Sequence, residues 1–104
     1  MEERRRYARK PLEVDLQINA EGTTVWVHGR DVSLRGLSFY SDVMFSTGDM
    51  VRVGVEGRFV IEGTVVRWEA EGGRFVVGVQ FPEDLSDAKW DLMLRDQRAA
   101  GKGH

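Results

Sequence analysis

From Leu12 the chain alternates. Leu12, Val14, Leu16 and Ile18 fall on one side, with Glu13, Asp15, Gln17 and Asn19 on the other. A period of two over this length marks a half-buried strand. Glu21-Gly22 supplies a turn, and Thr23 to Gly29 reads as a second strand, with Thr24, Val25, Trp26 and Val27 in series. A polar stretch from Arg30 to Gly36 follows. A third strand then runs through Leu37, Phe39 and Tyr40, inside the apolar-rich run Leu37 to Phe45. Ser46-Thr47-Gly48-Asp49 is a turn cluster, after which Val51, Val53 and Val55 alternate in a fourth strand. Glu56-Gly57 closes a hairpin into a fifth strand spanning Phe59 to Glu69, with Gly63 as the expected bulge. Glu71-Gly72-Gly73 turns the chain again, and Phe75, Val77, Val79 and Phe81 form the sixth strand, ended by Pro82.

Beyond Pro82 the period changes. Ser86 is an N-cap with Asp87 in the first turn, and Trp90, Met93, Leu94 and Gln97 share one helical face. These positions predict one helix over Ser86 to Ala99, its apolar stripe on the strands, with Gly101 to His104 frayed. Six short, evenly spaced strands with glycine turns argue for a closed barrel or a sandwich; closure would remove vulnerable sheet edges, and the expected fold is a six-stranded antiparallel β-barrel with a C-terminal α-helix. Burial preference places Trp26, Trp68, Trp90, Phe39, Phe59, Phe75 and Phe81 in the core.

At 104 residues this is one domain, and 41% hydrophobic with 31% charged residues is ordinary for a soluble globular chain. No apolar run approaches the roughly eighteen residues of a membrane span, and the charged N-terminus lacks the apolar core of a secretory signal. The absence of cysteine removes disulfides and thiolate metal sites, and fits a cytoplasmic protein. The net charge of −2 hides an asymmetry. Residues 1–10 carry Arg4, Arg5, Arg6, Arg9 and Lys10 against Glu2 and Glu3, a balance of +3 that leaves −5 on the remainder. A nucleic-acid polymer is usually held by a whole basic face, so one short basic arm better suits a compact anion.

Catalytic chemistry finds little support. The two histidines are His28, within a strand, and His104 at the end, too few for a three- or four-ligand metal site. Ser33 has no partner base, and neither Gly-x-Ser-x-Gly nor Gly-x-x-x-x-Gly-Lys-[Ser/Thr] occurs. No catalytic residue, metal or cofactor is therefore expected. Two stretches offer binding chemistry instead. Asp31-x-Ser33-x-x-Gly36 sets an acceptor, a hydroxyl and a residue without a side chain within one turn, which describes a binding loop or an ordinary polar turn equally well. Arg5-x-x-x-Arg9 stands in a segment that, taken alone, reads as a solvated tail.

An Arg-x-x-x-Arg arm before the first strand, followed by Asp-x-Ser-x-x-Gly between two later strands, resembles the PilZ domain family. Thr47-Gly48-Asp49 and Val76-Val77-Gly78-Val79-Gln80-Phe81 echo it further, so the likeness runs from Glu3 to Leu94. PilZ domains are small bacterial β-barrels that bind cyclic di-GMP. The resemblance implies that Arg5 and Arg9 contact phosphate, guanine edge and guanine face, while Asp31 accepts from guanine N–H donors. Ser33 would bond a phosphate or base, and Gly36 would admit the ligand close to the backbone. Arg4, Arg6 and Arg35 are possible auxiliaries.

It further implies a stand-alone receptor with a flexible arm at 1–10 and a barrel with helix at 11–100. The arm would order over the ligand and so signal to an unidentified effector protein. A small RNA or single-stranded DNA binder, and a nucleotide-free protein-interaction adaptor, are the alternatives.

Overall fold

Two tight turns direct the path of the chain. Glu21 and Gly22 take φ of 53° and 83°, and Gly72 and Gly73 take 60° and 86°. Two successive positive φ values give the hairpin turn whose twist matches that of its flanking strands. The first folds β2 (Asp15–Ala20) onto β3 (Thr23–Val32), and the second folds β6 (Phe59–Glu71) onto β7 (Arg74–Gln80). The computed structural model describes residues 9–55 and 59–102, with helix side chains as far as Leu94.

The remaining elements are β1 (Lys10–Pro11), β4 (Gly36–Ser41), β5 (Met50–Val55) and helix α1 (Asp87–Lys102). All pairings are antiparallel, and the order β3-β2-β5-β6-β7-β4 closes through β4 back onto β3. This is the six-stranded barrel expected from the alternation. The short β1 lies outside it, beside β3, with Lys10 opposite Val32 and Pro11 opposite Asp31. Lys10, assigned to the expected arm at 1–10, thus belongs to a strand, and residues 1–8 lie outside the described residues.

The alternating residues fill the interior. Leu12, Leu16, Ile18, Val53, Val55, Leu37, Phe39, Val65 and Val77 are fully buried, and Phe39 meets Phe45 edge-on at 5.6 Å. Each such side chain contributes about 1.5–3 kcal/mol by leaving water. The turn at Ser46 to Asp49 is closed by Ser46 N donating to Asp49 Oδ2 and Asp49 N donating to Ser46 O, both at 3.0 Å. The Glu56-Gly57 turn lies outside the described residues, although β5 and β6 pair on from Val55 and Phe59.

Three expectations change. Gly63 is no bulge: it pairs with Val51, and a Cβ there would collide with Val79 Cγ1. Glycine is needed for close approach, and the register shift falls between Val65 and Arg67 instead. Trp26 is 65% exposed and Trp68 38%, so neither is core, while Phe59, Phe75 and Trp90 pack partly buried against it. Trp26 lies on the outer face because its neighbours Val25 and Val27 take the inward phase of β3. The helix also continues to Lys102, past the expected end at Ala99, with Met93 buried and Trp90 and Leu94 half-buried. Gln97, assigned to the same stripe, has its side chain outside the described residues.

Helix α1 begins as its sequence dictates. Ser86 Oγ accepts from Lys89 N at 3.2 Å, satisfying one of the first-turn N–H groups that lack a helical partner. Ser86→Ala is expected to cost about 1 kcal/mol. In a thermal melt that lowers the midpoint by about 4–8 °C.

Candidate functional site

Strict alternation along β3 would carry Val27, Gly29 and Asp31 inward. A bulge at Arg30 breaks the phase, so that Gly29 faces Phe39 but Asp31 faces Ser38 and Val32 faces Leu37. Val32 therefore enters the core and Asp31 turns to the outer wall, where it is 20% exposed. Bulges commonly re-aim a side chain in this way. Asp31 is consequently a strand residue rather than the loop residue expected from sequence. The connection between β3 and β4 shrinks to Ser33-Leu34-Arg35, closed by Ser33 N donating to Gly36 O at 2.8 Å.

Beside this wall, β1 runs antiparallel to the end of β3 and delivers Arg9. Its Nε lies 3.2 Å from Asp31 Oδ1, and its Nη1 donates to Ser33 Oγ at 3.2 Å. Ser38 Oγ donates to the same Asp31 oxygen at 2.7 Å, and Arg30 Nη1 lies 3.6 Å from Oδ2. The Ser33 hydroxyl, itself buried, also accepts from Arg35 N at 3.3 Å. Three of the sequence motif's residues, Arg9, Asp31 and Ser33, thus form one charge-assisted network. Hydrogen bonds of this kind contribute about 1.5–3 kcal/mol each, discounted here because Arg9 is 38% exposed.

Gly36 has a structural reason of its own. A Cβ at this position would collide with the carbonyl oxygen of Val79 on β7. Arg35 holds the loop from the other side: its carbonyl accepts from Phe81 N at 2.7 Å and its Nη1 lies 3.6 Å from Asp84 Oδ1. Arg4, Arg5 and Arg6 lie outside the described residues.

Arg9, Ser33, Arg35 and Gly36 share a shallow cleft of about 190 Å³ with Arg67 and Gln80. Arg67 was not foreseen. The second bulge, after Val65, turns it from the inward phase to the outer wall, opposite Gly78, and the absence of a Cβ there lets its chain lie flat against the strand. The phase break is faintly written in Val65-Val66-Arg67, where an inward position in the alternation holds a charge. Arg30, also unforeseen, donates to the Tyr40 side chain, a bond that raises its pKa above the usual arginine value.

Chemically, the wall offers a carboxylate flanked by hydroxyls and the guanidinium groups of Arg9, Arg30, Arg35 and Arg67. It suits a ligand with both anionic oxygens and N–H donors. Among the described residues, no group of three or more His, Asp or Glu could hold a metal ion, and no helix is long and apolar enough to cross a membrane.

The chain is thus a small closed barrel with a cation–carboxylate–hydroxyl cluster on its outer wall. The chain belongs to the PilZ domain family, whose profile matches residues 3–95. Among solved structures it is similar to the Bacillus subtilis inhibitor of motility (MotI/DgrA), with TM-score 0.68 and 19% identity. That alignment covers 97% of this chain and 54% of the other, so the chain spans about half the length of that protein. The likeness is one of fold. A search of the curated proteins gives no match.

Proposed function

We propose that this protein is a bacterial receptor for cyclic di-GMP, and that binding rather than catalysis is its function. The observation that supports this most is the Arg9–Asp31–Ser33 network at the edge of an arginine-lined cleft, in a chain of the PilZ family. Asp31 presents a carboxylate to which guanine N1–H and N2–H₂ donate in pairs. Adenine offers an acceptor at N1 and would not satisfy it. Arg9 Nε and Ser38 Oγ both contact that carboxylate. The incoming guanine takes the place of Arg9, whose guanidinium then pairs with a phosphate or stacks on the base.

The cleft is smaller than the 300–1,000 Å³ typical of enclosing ligand pockets, so a dinucleotide lies across it rather than inside. The segment before Arg9, with Arg5, supplies the remaining wall, and Arg4, Arg6 and Arg35 assist. Residues 11–100 act as the rigid barrel-and-helix scaffold. Closure changes the outer surface, and a separate partner protein in the cytoplasm reads that change. The naming of the similar Bacillus structure as an inhibitor of motility supports a regulatory output of this kind.

Amide NMR spectra recorded during titration with cyclic di-GMP test the site. The amides of Asp31, Ser33, Gly36 and Arg67 are expected to shift together and saturate, while those of Val53 and Ile61 stay in place. Shifts confined to other strands would move the site elsewhere.

A further inference from the structure

Past the level where β7 ends at Gln80, β6 loses a neighbour. Its pairing with β7 starts at Thr64, opposite Gln80, whereas its pairing with β5 continues to Phe59. The chain after Gln80 turns away: Phe81 N donates to Arg35 O at 2.7 Å and Leu85 N to Leu34 O at 2.8 Å. Among the described residues, β6 is therefore unpaired on one side from Phe59 to Gly63. A groove of about 330 Å³ lies there, with Val60, Ile61 and Glu62 on one bank and residues 81–86 on the other. An open strand side of this kind takes up an extended segment through its main chain. Chain on both banks keeps a folded surface out.

The protein supplies such a segment itself. Residues 1–8 precede Arg9, which lines the neighbouring cleft. Cleft and groove are joined by a further depression, which shares Arg35 and Gln80 with the first and Glu62, Phe81 and Pro82 with the second. From Gly36 across β7 to Thr64, and then along β6 to Val60, is about 23 Å by strand spacing and rise. The eight residues, extended, reach about 27 Å. Charge agrees with reach. Glu62, Glu83 and Asp84 line the groove, Lys89 is the basic residue among its lining, and Arg4, Arg5 and Arg6 stand together in the segment. Arg52 and Arg35 lie 3.6 Å from Glu62 and Asp84, outside hydrogen-bond length, and a carboxylate accepts several donors at once.

We infer that residues 1–8 seat in this groove when no ligand is bound, with Arg4, Arg5 and Arg6 against Glu62, Glu83 and Asp84. The segment is tethered beside its seat at an effective concentration in about the millimolar range, so weak contacts suffice. The seat is independent of the nucleotide reading. Its consequence rests on that reading: Arg5 held in the groove is withheld from cyclic di-GMP, and closure over the ligand competes with the seat.

The sequence has no cysteine, so Glu3→Cys places a single nitroxide label on the full chain. In the ligand-free protein the label is expected to broaden the amide signals of Ile61, Glu62, Glu83 and Asp84 and to spare those of Val25 and Trp26. Glu62→Gln combined with Glu83→Gln, both exposed, should remove that broadening and leave the melting curve unchanged. Broadening absent from the groove, or unaltered in the double variant, overturns the proposal. So does broadening passed from a labelled chain to an unlabelled, isotope-enriched one in a mixture, since a second copy then fills the groove. In calorimetry the double variant should bind cyclic di-GMP about two- to tenfold more tightly, the effect of releasing two exposed ion pairs. Unchanged affinity beside intact groove broadening would overturn the competition and keep the seat. No binding by either protein would overturn the nucleotide reading and leave the seat standing.

Discussion

Replacing Asp31 with Asn is expected to weaken cyclic di-GMP binding by about ten- to a hundredfold, the factor that one charge-assisted hydrogen bond of about 1.5–3 kcal/mol confers. Asparagine keeps an oxygen for Ser38, which donates to Asp31 at 2.7 Å, so the wall around the bulge survives. It loses the negative charge, and its amide N–H₂ now points a donor at the guanine donors. Asp31→Ala should lose at least as much affinity, but it also strands the buried Ser38 hydroxyl, costing about 1–3 kcal/mol of stability. Arg9→Ala removes the partner that the ligand is proposed to displace and then recruit, and should also weaken binding about ten- to a hundredfold. Isothermal titration of the three variants, each checked by its thermal melt, separates loss of recognition from loss of fold. Wild-type affinity in Asp31→Asn would remove Asp31 from the site.

Gly36→Ala is expected to act chiefly on stability. The added methyl meets the Val79 carbonyl, a backbone atom held in the β4–β7 ladder that cannot swing aside as a side chain would. Overpacking of this kind costs about 1–3 kcal/mol. For a domain of this size that lowers the melting midpoint by roughly 10 °C. The family resemblance gave Gly36 a role toward the ligand. A variant that melts like the wild type yet fails to bind would restore that role in place of the structural one.

The barrel was legible because its signal is redundant. Six runs of alternating residues, separated by glycine turns with positive φ at Gly22, Gly72 and Gly73, mark the strands and two of their hairpins. The helix start was legible for the same reason, since Ser86 and Asp87 are cap chemistry and Trp90 and Met93 follow at helical spacing. Trp26 and Trp68 were not. Trp26 lies between two valines, so apolarity alone leaves the phase of that stretch open, and only pairing with β2 and β4 shows the indole outside.

The motif residues Arg9, Asp31 and Ser33 were readable by their order in the chain, but their assembly was not. It depends on the bulge at Arg30, which sends Asp31 outward, and on β1, which runs Arg9 back alongside it. A bulge shifts register without a composition of its own, which is also why Arg67 escaped notice. Both departures from alternation turn a charged residue onto the wall that carries the proposed site.

Calorimetric titration of the wild-type chain with cyclic di-GMP, with cyclic di-AMP and GTP in parallel, tests the central claim most directly. The account predicts saturable heat with cyclic di-GMP and markedly weaker binding of the other two. Flat titrations with all three would contradict it, and equal affinity for cyclic di-AMP would contradict the part assigned to Asp31.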